Sequence, residues 1–440
     1  MTELVPLRQL PPKASFKKGD VLVIFGELFT RGYANGIVDE AEKAGLKVIF
    51  STVGRRNSDG TLRALNDEEL QAKRDAKQTP LINVPIEAGF DMEPANDGTT
   101  PVSQLAGVKL GAWQDAEIDF DKVEQSRING RKRFRTHVNE WMRQVDAEIP
   151  EGANVIFAHT MAGGVPRAKI MMPVMNWVFK GTGERHLSSK TFWDSDMGRF
   201  SSMSFEDVTA NTFQDLLDLS GELREKIEKR GGRVSYVAFG YHGTEVMIRG
   251  EYRWQAYSPY LQGWAKMKLE DMSTQAFEKG LKTCVYNCPE ILTNSTGIFV
   301  GVEVPLYPFL TALSREAKGV TQVETALKKA QTLLKEGVTF EEIQKFTDET
   351  LTSSAIQETS QYAAWPTHNT KKQMEVLIGA AEHLVSLHKD PKDLITFVLS
   401  EEIFRATGYI MFHDAWAPKA PVVWLGHDVL AKALAASAKL

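Results

Sequence analysis

Cysteine is nearly missing from this chain: Cys284 and Cys288 are the only two in 440 residues. Two thiols cannot build the disulfide framework that staples small secreted folds, so they read as reduced thiols of a cytoplasmic protein. Their spacing places them on one face if that stretch is helical. No apolar run approaches the ~20 residues of a membrane-spanning helix, so no stable membrane insertion is expected. The opening residues, MTELVPLRQLPPKASFKKGD, lack a basic head followed by an apolar core, so no secretion leader is expected and the cytoplasm is the expected location.

Charge of one sign is not in excess either. With 57 acidic against 52 basic residues the net charge is −5, and nothing in the overall field favours a nucleic-acid partner. The nine histidines show no H-E-x-x-H and no Cys/His ligand spacing, so no metal site is expected. The G-x-S-x-G elbow is missing too, which argues against a hydrolase. What remains, 42% hydrophobic and 25% charged residues, is ordinary globular composition with material for a large core.

Asp20-Val-Leu-Val-Ile-Phe-Gly26 reads as a buried parallel strand, Gly32 to Ala44 as a helix stopped at Gly45, and Leu46 to Ser51 as a second strand. That is a βαβ unit. The alternation continues with strands at 80–85, 154–159 and 233–239 and helices at 121–146 and 205–230, which predicts a Rossmann-type α/β fold with a doubly wound parallel sheet. Residues 163–204, rich in Gly, Met, Trp and Ser, are expected to be a substrate-loop insertion, because irregular segments of that length usually act as lids or are disordered. From about Thr321 the periodicity turns helical, over 322–336, 340–351, 369–389 and 393–407, with a last strand candidate at 421–425. The expected organisation is a Rossmann-type core over 1–320 and a mainly helical C-terminal extension over 321–440, packed on the same domain.

Glycines stand at Gly26, Gly32 and Gly36, with Tyr33 beside the second, in a G-x5-G-x3-G pattern after the first strand. Such a loop offers a close backbone turn and a helix N-terminus to a dinucleotide pyrophosphate. A tight turn is the plainer explanation of three glycines there. The second strand runs into Arg55-Arg56, near where the adenosine ribose lies in such sheets. Arginine there favours a 2′-phosphate, so NADPH is the expected cofactor, with NADH as the alternative. A solvated basic turn would look the same.

Downstream, Tyr241-His-Gly-Thr-Glu245 is followed by Tyr257-Ser-Pro-Tyr260-Leu-Gln-Gly263-Trp-Ala-Lys266. Ser258 and Pro259 suit a cap and first turn, so Tyr257 is expected just before a helix that carries Lys266 two turns in. A phenol has a reference pKa of about 10, and a neighbouring ammonium makes it a usable acid toward a carbonyl oxygen that gains charge.

Tyr257-x8-Lys266, with Gly263, Ala265 and Leu269 around the lysine and Tyr241-x-Gly243-x-Glu245 upstream, resembles the trans-2-enoyl-ACP/CoA reductase family (FabV-like), an enlarged branch of the short-chain dehydrogenases. The shorter Tyr-x6-Lys register of the smaller enoyl-ACP reductases would put Pro259 at the donor site, and proline cannot donate. Thr293-Asn-Ser-Thr-Gly, running on to Pro305-Leu-Tyr307, is similar to that family's Thr-rich segment. The likeness covers residues 18 to 318.

The resemblance implies NAD(P)H-dependent reduction of the 2,3 double bond of an enoyl thioester carried on acyl carrier protein or CoA, in fatty-acid metabolism. Tyr257 would be the proton donor, with Tyr241 beside it and Tyr260 in reserve, and Lys266 the ribose ligand. His159, Thr160, Gly163 and Thr293 would approach the nicotinamide half, and Asp91 the adenine. A histidine hydrogen-bonded for packing is an equal account of His159. Arg131-Lys-Arg-Phe-Arg135 could meet an acidic carrier, although a solvated helix face is the commoner reason for such a run. Met171, Met172, Met175, Trp177 and Phe179 could line an acyl channel or simply be core. Two other readings stay open: a ketoacyl or carbonyl reductase using the same Tyr, and a non-enzymatic nucleotide sensor on the same fold. Monomer and homo-oligomer are equally compatible with the sequence.

Overall fold

The computed structural model describes residues 3–256, 261–293, 301 and 303–438. Among them the strands are β1 (Pro6–Leu7), β2 (Val21–Phe25), β3 (Lys47–Ser51), β4 (Arg55–Arg56), β5 (Leu62–Arg63), β6 (Leu81–Ile82), β7 (Val155–His159), β8 (Val234–Gly240), β9 (Gly243–Ile248), β10 (Glu251–Ala256), β11 (Thr283–Asn287) and β12 (Val422–Leu425). Eight make one sheet in the order β1-β12-β11-β8-β7-β2-β3-β6, and every neighbouring pair runs parallel. This is a doubly wound Rossmann-type sheet. The chain fills one half through β2, β3 and β6, then returns beside β2 with β7 and fills the other half, so the order reverses between β2 and β7.

The strands are apolar at nearly every position because helices cover both faces. Alternation then sorts them. Leu22, Ile24, Ile156, Ala158, Val237, Phe239 and Tyr286 face a core shared with the helices Ala34–Lys43, Ile395–Asp414 and His427–Ser437. Val21, Val23, Phe25, Val155, Phe157, Tyr236 and Ala238 face the other core, against the helices Phe120–Glu148 and Thr212–Leu219. The long helix 120–148 starts where the Asp119 side chain accepts from the backbone N–H groups of Asp121 and Lys122, and buries Val123, Gly130, Phe134, Val138, Trp141 and Val145 along one stripe.

Four departures from the sequence-based expectation have physical causes. Residues 163–204 are not mainly loop: they hold the helices Met171–Lys180, Ser189–Trp193 and Asp196–Phe205. The first is apolar on most sides, which hides its period, and the other two are announced only by the capping serines Ser188 and Ser195. Met171, Met175 and Phe179 are buried in a third core with Phe192, Phe200 and Leu261, so they are core.

The expected helix 205–230 is broken by a π-helical stretch, Glu206–Asn211, and again at Ser220. Between Tyr241 and the Lys266 helix lies the hairpin β9–β10, turned at Arg249 (φ 53°) and Gly250 (φ 83°), both left-handed. Cys284 stands in β11 and Cys288 just beyond it, so the stretch is not helical and no helix face pairs them.

The C-terminal region is woven into the sheet rather than laid on it. β12 lies between β1 and β11, and the helices 395–414 and 427–437 complete one face. No described helix is long and apolar enough to cross a membrane.

Candidate active site

Where the strand order reverses, the loops after β2 and β7 part and leave a cleft of about 240 Å3. It is walled by residues 27–29 and 31–35 after β2, by Thr160, Ala162 and Gly163 after β7, and by Phe239, Gly240 and Tyr241 at the end of β8. Gln262 and Lys266 of the helix Leu261–Glu278 and Glu290, Ile291 and Thr293 after β11 close it.

Gly26 makes the crossing of the first two loops feasible. Its φ is +132°, and a Cβ there would lie 2.3 Å from Thr160 Oγ1. Thr160 N in turn donates to Phe25 O at 2.9 Å, tying the two strand ends together. Gly32 lines the cleft with open space where its Cβ would be. Tyr33 precedes the helix 34–43, stacks on Phe239 at 5.8 Å and donates its hydroxyl to Pro289 O, joining the β2 loop to the segment after β11. No side chain caps this helix, whose first residues Ala34 and Asn35 border the cleft, while the N–H groups of Asn35 and Gly36 donate to Gly32 O and Tyr33 O at 3.3 and 3.1 Å.

Gly163 is fixed from both sides. Its N–H donates to Gln262 Oε1 at 2.8 Å and its carbonyl accepts from Thr209 Oγ1 at 2.9 Å. Thr209 sits in the π-helical stretch and also accepts from Gln262 Nε2 at 3.1 Å, so the irregular turn of helix serves the cleft.

Lys266 is 4% exposed, and burial lowers its pKa to about 8. No hydrogen bond or ion pair joins its ammonium to another described residue. Glu290 is equally buried, with Oε2 unpartnered among the described residues, and burial together with the neighbouring Glu303 pushes its carboxyl well above the ordinary range. Two buried polar ends without partners among the described residues, and a helix terminus between glycine turns, fit a bound polar ligand with an anionic middle such as a dinucleotide.

Tyr241, Thr293, Thr160, Gly163, Gly32, Tyr33 and Lys266 thus meet at one cleft. Other residues singled out from the sequence do not. Gly36 faces away from it: a Cβ there would lie 1.9 Å from Phe404 O, so it serves the crossing with helix 395–414.

Arg55 forms a two-pronged pair with Glu27, at 3.0 and 2.9 Å, and Lys73 joins the same carboxylate at 2.8 Å. Burial would raise the Glu27 pKa, but the bonds from Arg55 and Lys73 outweigh it and hold the carboxyl at about 2. Arg56 is held by Glu87 at 2.6 Å and Glu93 at 3.1 Å. Asp91 is buried against Arg167, accepting from its backbone N–H at 2.7 Å and its guanidinium at 2.8 Å. His159 is fully buried between Phe25 and Phe213 with Nε2 hydrogen-bonded to Thr212 Oγ1 at 2.9 Å, and burial pushes its pKa well down, so it stands as neutral core imidazole.

Tyr257, Tyr260 and the cap pair Ser258 and Pro259 lie outside the described residues. Glu27, Gln262 and Glu290 were not legible from the sequence. Only Glu27 carried a signal, as the acid immediately following Gly26.

Sheet, switch-point cleft and buried lysine define a nucleotide-dependent oxidoreductase. Residues 3–434 match the family described as enoyl-acyl carrier protein reductase FabMG, and the chain belongs to that family. The solved apo structure of FabMG, a novel type of enoyl-acyl carrier protein reductase, is similar at a TM-score of 0.94 and 44% identity, with both chains fully covered. A second FabMG structure, with NADH bound, is similar at 0.76 and 37% identity, over 99% of this chain and all of that one. No curated protein matches the chain.

Proposed function

We propose that this chain reduces the 2,3 double bond of an enoyl thioester on acyl carrier protein, using NADH, and that CoA thioesters serve as simpler versions of the same substrate. The observation that carries the reading is Lys266, an ammonium buried without a partner among the described residues in a cleft at the sheet's switch point, in a chain of an enoyl-reductase family. Bound NADH would supply a hydride to the substrate Cβ. Lys266 then binds the nicotinamide ribose hydroxyls. Tyr257, nine positions earlier, holds the thioester oxygen as it gains enolate charge and supplies the proton. Tyr241 borders the same space and supports that oxygen from the β8 side. The helix 34–43 terminus and Gly32 take the pyrophosphate.

The trans-2-enoyl reductase (FabV-like) register of Tyr and Lys supports this division of labour. NADH is preferred to NADPH because Arg55 and Arg56 already have carboxylate partners, so neither guanidinium is free to take a 2′-phosphate. The reaction places the chain in cytoplasmic fatty-acid synthesis, with residues 1–320 and 321–440 acting as one catalytic unit.

Crotonyl and acetoacetyl thioesters, each offered with NADH and NADPH, test the proposal. Oxidation of NADH by the crotonyl ester is expected. Turnover confined to the acetoacetyl ester would make the chain a ketoacyl reductase, and binding without any turnover would make it a nucleotide sensor.

A further inference from the structure

Behind the cleft wall three fully buried polar side chains meet where three elements converge. His242 follows Tyr241 at the end of β8, Glu270 lies one turn beyond Lys266 on the helix 261–278, and Asn287 ends β11 on the way to Glu290. His242 Nδ1 reaches both carboxylate oxygens of Glu270, at 3.0 and 3.2 Å. Asn287 Nδ2 donates to Glu270 Oε1 at 2.7 Å, and Asn287 Oδ1 accepts from the His242 backbone N–H at 2.9 Å. The ring is closed: each member touches the other two. Its fit leaves no slack, since a Cβ on Gly240 would lie 2.5 Å from Asn287 Oδ1 and one on Gly263 would lie 3.0 Å from Tyr241 O.

We propose that His242, Glu270 and Asn287 form a positioning triad that sets Tyr241, Lys266 and the Glu290 segment in register around the cleft. A fully buried carboxylate is expensive, and well-packed apolar residues would commonly hold three elements together as well or better. Apolar contacts, however, slide, whereas directional bonds to one carboxylate fix both distance and rotation. The setting makes the apolar alternative concrete: the imidazole sits among Trp365 at 5.0 Å, Tyr362 at 5.7 Å and Trp254 at 5.9 Å, a cage that would receive another aromatic ring readily. None of the three borders the cleft, so the triad acts through Tyr241, Lys266 and Glu290, which do. This inference rests on the proposed enoyl reduction for its kinetic consequence.

His242→Phe keeps the bulk and loses the directional bond, whereas His242→Asn keeps an N–H donor near the Nδ1 position and loses the bulk. If the triad positions the cleft, the Phe variant loses about 100-fold in kcat and its NADH affinity, read by fluorescence titration, falls about tenfold. The Asn variant stays within about tenfold of wild type in kcat. A space-filling role predicts the reverse order, and that order, or a folded Phe variant equal to wild type in both readouts, overturns the proposal. If the Phe variant does not fold, Glu270→Gln keeps one oxygen for Asn287 Nδ2, turns an amide donor toward His242 Nδ1, and must show the same paired losses. A wild-type protein that binds NADH but reduces no enoyl thioester defeats the functional reading alone, because the affinity comparison still decides the triad. One that binds no NADH defeats both.

Discussion

Gly36 and Gly408 meet backbone to backbone: a Cβ on Gly408 would lie 2.0 Å from the Gly36 carbonyl carbon, and the helices 34–43 and 395–414 can cross at that distance only because neither residue has one. Gly36→Ala should therefore destabilise the fold by roughly 1–3 kcal/mol through overpacking. Thermal unfolding followed by circular dichroism would show a fall of several degrees, while the folded protein keeps its NADH affinity. Lost affinity at unchanged stability would return Gly36 to the cofactor loop.

Lys266 titrates at about 8 in the folded chain against 10.5 for an ordinary lysine. Between those values the unfolded chain holds more protons, so stability rises with pH over that window, and below it a constant penalty remains. Lys266→Met should remove the rise and stabilise the cofactor-free protein at neutral pH by roughly 3 kcal/mol, while NADH affinity drops. Denaturant titrations from neutral to alkaline pH check the slope. An unchanged slope would mean that the ammonium is solvated.

Glu27 is depressed, to about 2 from 4.5, so its contribution is complete above 4.5 and is lost as pH falls toward about 2. Glu27→Gln should weaken the fold at neutral pH and flatten its acid limb. It also releases Arg55, so the ratio of NADPH to NADH turnover should rise. Steady-state rates with the two cofactors measure that ratio, and no change in it would remove Glu27 from cofactor choice.

Tyr257→Phe should lower kcat with crotonyl thioester by about 100-fold or more while NADH affinity is kept, and Tyr241→Phe should cost less. If Tyr257→Phe retains full turnover and Tyr241→Phe does not, the donor is the residue at the end of β8.

The sheet was legible because strands buried on both faces leave unbroken apolar runs, as at 21–25, 155–159 and 234–240, the first and last with glycine at the exit. The hairpin β9–β10 was not, because its turn is Arg249-Gly250 rather than the usual Asn-Gly, and arginine carries no turn signal. Helix 171–180 escaped for the opposite reason: with Met, Val, Trp and Phe on most sides it has no polar face to mark its period.

In the site, Gly26, Gly32 and Lys266 follow from local pattern, since turn and helix chemistry are written in neighbouring residues. The partners of Arg55, Asp91 and His159 are set by contacts with Glu27, Arg167 and Thr212, and no local pattern announces a distant counter-ion.

β12 lies inside the sheet, between β1 and β11, although residues 422–425 are made long after both of its neighbours. During synthesis β11 must therefore wait with an unpaired edge, and β1, the first strand, must wait longer still. Both edges stay open to wrong partners until β12 is made. For this fold a chain that lacks β12 is not a smaller reductase: it leaves β11 bare on one side and β1 without its partner, prone to associate with its own kind.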